Sequence, residues 1–308
     1  MAPSQGSRLG RLAHQCGIGS LSVLIDHQDQ LDALAMITDI AGFQIGIFVK
    51  IDTGYHRAGL TTTSEQFKAL IAHVLASVEP PGNGYLQGFY SHAGHSYSGD
   101  SKEIAMSLLM EELCCLEKAA QTYDDLCSRS EDARLRPLTL SVGATPTATS
   151  IQNITGENAH STSSHQKTSE LKSCIERIKK KYEVEIHAGV YPILDLQQLA
   201  THASPPASVG SAPTADASRS ASSQSASTAD LGLTILAEVV SLYPRRESSE
   251  ALVTAGSLAL GREPCKSYSG WGRRQPLESA FRYWRQPLWM DRWPHQSRAW
   301  RLDRRSRL

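Results

Sequence analysis

The chain has 308 residues, enough for one large domain or two modest ones. Its 31 basic residues balance 31 acidic ones, so a whole-chain basic footprint for nucleic acid is absent. No apolar run approaches the ~18 residues of a membrane span, and Met1 to Gly10 lacks the apolar core of a signal peptide, so neither a membrane anchor nor secretion is expected.

Short β-rich runs alternate with longer helical patterns. Leu21–Ile25 predicts a buried strand, and Gln30–Ile40 carries apolar residues at helical spacing. Ile45–Ile51 is a second strand, followed by a helix over Ser64–Val78 with Ser64 as its N-cap. After the turn-forming Pro80-Pro81-Gly82-Asn83-Gly84 comes a third strand, Leu86–Ser91. A long helix is predicted over Lys102–Cys127, a fourth strand over Leu138–Val142, a helix over Glu170–Lys181 and a fifth strand over Glu183–Ile186. This rhythm predicts an α/β fold built on a parallel sheet. Residues 154–168 read as a polar loop.

Beyond residue 200 the pattern changes. Residues 203–230 hold nine Ser and eight Ala; so little apolar surface cannot offset the entropy of ordering, and a disordered insert is expected. Leu233–Val240 and Ala251–Leu260 predict two strands of an antiparallel region. Residues 273–308 contain ten Arg, no Lys and four of the five Trp, without sustained periodicity. Such a tail suits either a basic-aromatic nucleic-acid arm or a segment never selected to fold, and the all-Arg composition favours the second. Six cysteines (Cys16, Cys114, Cys115, Cys127, Cys174, Cys265) show no C-x-x-C spacing and read as small buried residues of a reducing, cytoplasmic setting.

Four successive strand ends are polar and rich in glycine. Ile45–Ile51 runs into Asp52-Thr53-Gly54-Tyr55-His56-Arg57-Ala58-Gly59, where Arg57 can either bind an oxyanion or phenolate or pair with a surface acid. The third strand ends in Tyr90-Ser91-His92-Ala93-Gly94-His95, a crowded group in which His92-x-x-His95 finds no third ligand for a metal. The fourth ends in Ser141-Val142-Gly143-Ala144-Thr145-Pro146-Thr147, suited to cradling a phosphate or to an ordinary turn. The fifth ends in His187-Ala188-Gly189-Val190-Tyr191. Polar ends repeated in this way predict one shared site at the carboxyl face of a (β/α) barrel.

Taken in order and spacing, these segments resemble the D-serine dehydratase-like family of pyridoxal phosphate enzymes, which have the alanine-racemase-type barrel and are related to D-threonine aldolases. The resemblance runs through Val49-Lys50-Ile51-Asp52-Thr53-Gly54 with Arg57-Ala58-Gly59, the Ser91-His92-Ala93-Gly94-His95 and Ser141–Thr147 segments, Glu185–Tyr191 with Asp195-Leu196-Gln197-Gln198, Ala255–Leu260 and Gly270-Trp271-Gly272. It implies a partial barrel of about five of eight strands over residues 1–200, the start of a C-terminal β domain over 231–272, and a tail outside it. The activity implied is D-serine ammonia-lyase, converting D-serine to pyruvate and ammonia, in a family whose members are often homodimers.

By position, the resemblance puts Arg57 near the phenolic oxygen of the cofactor, His92 beside the pyridine ring, Ser141, Gly143, Ala144 and Thr145 on the phosphate, and Tyr191 at the end of the last strand. It also implies that the Schiff-base lysine belongs to a strand ahead of every matched segment, Lys50 lying on a different one. Zinc, in the family, is held by a His-x-Cys pair well after Gly270-Trp271-Gly272, and no such pair follows Gly272 here. The expectation is a chain without its covalent anchor and its metal, inactive as written; the alternative is a non-catalytic remnant with weak cofactor binding.

Overall fold

A computed structural model describes residues 3–77, 82–127, 137–155, 162–190, 193, 195–204, 232–233, 235–246 and 250–260. Five strands, β1 (Ser22–Ile25), β2 (Ile45–Lys50), β3 (Gly84–Tyr90), β4 (Thr139–Val142) and β5 (Glu183–Ile186), form one parallel sheet whose spatial order is the chain order. Each crossover carries a helix: α2 (Asp32–Ala41), α3 (Glu65–Ser77), α4 (Lys102–Cys127), then α5 (Thr145–Ser150), α6 (Gln152–Thr155) and α7 (Thr162–Ile178) together. Sequential parallel strands with no reversal of order belong to a (β/α) barrel rather than to a doubly wound sheet. The expected α/β class and partial barrel are thus observed.

Central strands are buried along their length, and edge strands are not. In β2 only Phe48 is even partly exposed, whereas β1 and β5 alternate with exposed positions. Ile47, Val49, Phe89, Leu140 and Val142 form the sheet's contribution to the core, and Ile37, Phe67, Ile71, Met106, Leu109, Leu113 and Leu116 come from the covering helices. Burying an aliphatic or aromatic side chain of this size contributes about 1.5–3 kcal/mol, so this layer dominates the stability of the fold.

Local chemistry fixes the element ends. Ser64 caps α3 as expected, its hydroxyl accepting from Phe67 N–H at 3.1 Å. A helix not anticipated in the sequence, α1 (Gly6–Cys16), lies against α2; a Cβ on Gly10 would come within 2.7 Å of Ile40 Cβ, so only glycine allows this approach. The α7 helix starts at Thr162, eight residues ahead of the expected Glu170, and takes in much of the polar 154–168 stretch. Polar residues on a helix face turned to solvent carry little apolar periodicity, which is why the stretch reads as loop.

The antiparallel region is present as β6 (Val239–Tyr243) and β7 (Glu250–Val253). Both differ in extent from the sequence reading. β6 begins six residues after Leu233, where Val239 pairs with Val253, the last residue of its partner. The Ala251–Leu260 run is not one strand: Gly256 C=O accepts from the N–H groups of both Ala259 and Leu260, starting the short α9 (Ser257–Leu260). The remaining helix, α8 (Leu196–Ala200), is capped by Asp195, whose carboxylate accepts from Gln198 N–H. The insert from residue 205, Tyr191, Gly270-Trp271-Gly272 and the tail over 273–308 lie outside the described residues.

Candidate functional site

In parallel strands the residues at one level of the ladder share a face. Lys50 pairs with Tyr90, Tyr90 with Ser141, and Ser141 with Glu185, so one polar row crosses β2 to β5 at their carboxyl ends. The residues one step earlier, Val49, Phe89 and Leu140, point to the opposite face and are fully buried under the helices. Alternation therefore separates a dry face from a face that can hold chemistry.

The β2 end is closed by a loop built on Asp52. Its carboxylate accepts from the backbone N–H groups of Gly54 and His56, both at 3.0 Å, and meets His56 Nδ1 at 2.8 Å. This brings Tyr55 toward the site, with its ring 6.2 Å from that of His92 and 6.1 Å from that of His95. Arg57 lies exposed over Tyr55, its guanidinium carbon 5.2 Å from the ring centre. Lys50 is buried, its ammonium donating to Ile51 C=O at 2.8 Å. Burial lowers its pKa, against the opposing pull of Glu112.

At the next two strand ends His92 and Gly143 are joined. His92 Nδ1 donates to Gly143 C=O at 3.0 Å. Gly143 has φ of +139°, and a Cβ there would sit 2.3 Å from His187 O, so the position excludes any side chain. Burial, then the Arg57 charge, hold His92 below its ordinary pKa. His187 stacks on Tyr90 with ring centres 4.3 Å apart and planes 5° from parallel, and lies 6.2 Å from His92. Burial, and then the neighbouring His92, push its pKa down to about 4.

Beneath this group sits Glu112, only 1% exposed. Its carboxylate accepts from Ser91 Oγ at 2.7 Å, Gly143 N–H at 3.3 Å and Thr147 Oγ1 at 3.3 Å, and from the backbone of Ala93. Burial raises its pKa, although all four partners favour the charged form. One side chain on α4 thus ties the end of β3 to the end of β4 and to α5.

Of the residues singled out in the sequence, Arg57, His92, Ser141, Gly143, Ala144 and Thr145 are brought to these strand ends, and Tyr191 lies outside the described residues. Several donors of the 141–145 turn are engaged within the protein. Ser141 Oγ donates to Glu185 Oε1 at 2.6 Å, Gly143 N–H to Glu112, and Ala144 N–H to Thr147 Oγ1 at 2.9 Å. Thr145 instead faces the β5 end, where Val190 N–H donates to its hydroxyl at 3.2 Å. Thr145, Thr149, Val190, Gln198 and Thr201 border a polar hollow of about 170 Å³.

Glu112 and the Lys50–Tyr90 pairing were missed in the sequence, whereas Glu185 and His187 were placed at the fifth strand end without a role of their own. Glu112 did leave a signal, since it falls at helical spacing from Leu109 and Leu116 on an otherwise apolar face. His14-Gln15-Cys16 is a His-x-Cys sequence, but it lies on α1, with His14 Nδ1 bonded to Ala41 O and Cys16 exposed. Among the described residues no group of three or more His, Cys, Asp or Glu could hold a metal. None of their helices is long and apolar enough to cross a membrane.

Comparison with known proteins agrees with this geometry. The alanine racemase N-terminal domain model matches residues 7–161, and the model described as "Putative serine dehydratase domain" matches residues 232–302. D-serine dehydratase of Schizosaccharomyces pombe is 35% identical over 248 residues, covering 79% of this chain and 48% of that protein. The Saccharomyces cerevisiae D-serine dehydratase is 32% identical over 85% of this chain and 51% of its own length. The chain spans about half the length of these relatives. D-threo-3-hydroxyaspartate dehydratase from Delftia sp. HT23 superposes with a TM-score of 0.52 at 22% identity, covering 85% of this chain and 53% of that one. An alanine racemase-like protein from Idiomarina loihiensis gives 0.53 at 19%, over 85% and 52%. At such identities the two structures establish the fold. With the racemase domain model matching over half of its length, the chain belongs to the alanine racemase N-terminal domain family, and its curated relatives are D-serine dehydratases.

Proposed function

We propose that the strand ends of β2 to β5 hold pyridoxal phosphate as the cofactor-binding part of a site for the conversion of D-serine to pyruvate and ammonia, the Schiff-base lysine being implied by the resemblance on a strand outside the matched segments. The observation supporting this reading is that Arg57, His92 and Thr145, three positions the family resemblance assigns to the cofactor, all stand at these strand ends, with the Arg57 charge bearing on His92 and Tyr90, His92 bonded to Gly143 and Thr145 bonded to Val190. The residues fit such a group: Thr53 Oγ1, His95 Nδ1, Ser96 Oγ and His187 Nε2 are buried without a hydrogen-bond partner among the described residues. A buried polar group left unpaired costs roughly 1–3 kcal/mol, which a polar ligand would relieve.

When bound, the cofactor supplies the electron sink that weakens bonds at the substrate's Cα. The chain's own residues bind and orient it. Arg57 offers several N–H donors to the phenolic oxygen, and its charge already bears on Lys50, Tyr90 and His92. His92, its pKa held below the ordinary value, would stand beside the pyridine ring. Thr145 would take the phosphate end, and Ser141, Gly143 and Ala144, whose donors are engaged within the protein, would form the frame behind it. The described residues do not fit a zinc site, so no step is assigned to a metal. A cytoplasmic homodimer is the setting this reading expects.

The test is a titration of the full chain with pyridoxal phosphate, followed by absorbance. Saturable binding is expected, weakened at least tenfold by Arg57→Ala or Thr145→Val and unaffected by the exposed Lys68→Ala. D-serine, and not L-serine, should then perturb the bound spectrum. Absence of saturable binding, or equal binding by all three variants, would overturn the assignment.

A further inference from the structure

Glu185 and His187 are two residues apart on β5 and so share a face, and Ser141 stands directly opposite Glu185 on β4. The three side chains are bonded in series: Ser141 Oγ is 2.6 Å from Glu185 Oε1 and 3.0 Å from His187 Nδ1. A serine hydroxyl has one proton to give, and a carboxylate can only accept. The proton therefore goes to Glu185, leaving the Ser141 oxygen to accept from His187. That requires the imidazole hydrogen to be on Nδ1. Nε2 is then a bare lone pair, buried and without a partner among the described residues.

We infer that Ser141 and Glu185 are positioning residues that hold His187 as its Nδ1–H tautomer, so that Nε2 accepts a hydrogen bond from a ligand group carrying its own proton. Nothing in the mechanism above uses this ring except as a stacking surface. The inference rests on the strand ends being a ligand site. Tyr90 stacked on the His187 ring, with planes 5° apart, prevents the imidazole from turning over to exchange its two nitrogens without breaking that contact. The row therefore selects ligands: an O–H or N–H donor is welcome at Nε2, and a bare acceptor is repelled by the lone pair it meets.

Nitrogen-15 correlation spectra of the full-length chain read the tautomer of each histidine directly. Wild-type protein should show His187 neutral, with its proton on Nδ1. Ser141→Ala should move His187 toward the Nε2–H form, while His92, whose Nδ1 is bonded to Gly143 O, remains unchanged and reports that the fold is kept. Glu185→Gln retains an accepting oxygen and should preserve the wild-type tautomer; Glu185→Leu should loosen it. A wild-type ring protonated on Nε2, or one indifferent to both Ser141→Ala and Glu185→Leu, overturns the inference. Addition of pyridoxal phosphate separates the two readings. If absorbance shows no binding, the proposed function fails while the tautomer result still decides the Ser141–Glu185 role. If it binds and the Nε2 resonance does not move, the ligand-accepting role of His187 is wrong.

Discussion

Lys50 and Tyr90 lie directly opposite each other on β2 and β3, with the ammonium 5.6 Å from the centre of the phenol ring. Burial acts on both in the direction that removes charge: it lowers the pKa of Lys50 and raises that of Tyr90. A lysine depressed in the native state binds fewer protons there than in the unfolded chain, so stability rises with pH between its lowered pKa and the ordinary 10.5. Lys50→Met keeps the apolar stem and removes the buried charge, at the expense of the bond to Ile51 O. Such replacements of buried charge are often neutral or stabilising, so the variant should be no more than about 1 kcal/mol less stable than wild type at neutral pH. Its denaturation midpoint should rise less than that of wild type as pH is raised toward 10. A loss of several kcal/mol at pH 7 would mean that the ammonium is held by stronger partners than these.

Glu112 joins three elements with one carboxylate, and its removal should be felt in all three. Glu112→Ala leaves the Ser91 hydroxyl and the Gly143 N–H buried with their acceptor gone, and confines the Thr147 hydroxyl to its bond with Ala144 O at 3.1 Å. We expect a loss of at least about 3 kcal/mol, read from the urea midpoint. Glu112→Gln retains an accepting oxygen toward Ser91 and Gly143, and the Thr147 hydroxyl can turn to accept from the new amide. This variant should lose less than half as much. Equal losses would show that the charge, rather than the hydrogen bonds, is what Glu112 contributes.

The glycine at 143 is the narrowest point of the site. Its φ of +139° and the 2.3 Å approach of His187 O leave no room for a methyl group. Gly143→Ala forces the β4 and β5 ends apart, and about 3 kcal/mol of destabilisation is expected from strain alone. The Gly143 bond to His92 should break with it, so the His92 ring resonances should shift even where the fold survives. An alanine variant of unchanged stability and unchanged His92 spectrum would rule out this backbone geometry.

The class of the fold was legible because its elements are long or strongly patterned. Lys102–Cys127 was readable to the residue, since a 26-residue amphipathic helix outweighs any local ambiguity. Within the predicted Ile45–Ile51 strand, Ile45–Val49 stood out as a continuous apolar run of the kind a doubly covered parallel strand requires. The polar strand ends, with Arg57, His92 and the 141–145 turn, were legible one at a time. Their interconnection was not. Which residue of β4 lies beside Glu185 is a matter of register, and register follows from the packing of helices that are far apart in sequence. For the same reason the Ser141 hydroxyl reads from the sequence as a phosphate donor, whereas in the fold it belongs to the bonds between β4 and β5.

The acid limb of stability should be dominated by histidines. Burial, then His92, place the His187 pKa near 4, against an ordinary value of 6.5. His92 is displaced the same way by burial and Arg57. A base with a lowered native pKa stays neutral in the fold while the unfolded chain takes up its proton. Its contribution is therefore complete above 6.5 and is lost as pH falls toward about 4. Glu112 has the opposite sign, its raised pKa making stability fall as pH rises through the carboxylate range. Lys50, Tyr90, His92 and Glu185 all face or flank the His187 ring, so its titration is read best by difference. His187→Gln keeps a planar polar group of similar reach and removes the titration. Between pH 6.5 and 4.5 wild-type protein should lose a few degrees more of melting temperature than the variant, since about 1 kcal/mol corresponds to roughly 2–4 °C in a chain of this size. His92→Gln should give a smaller effect of the same sign. If the wild-type and His187→Gln profiles run parallel through this range, the ring is protonated in the native state as readily as in the unfolded one, and it cannot be the buried neutral acceptor that the strand ends require.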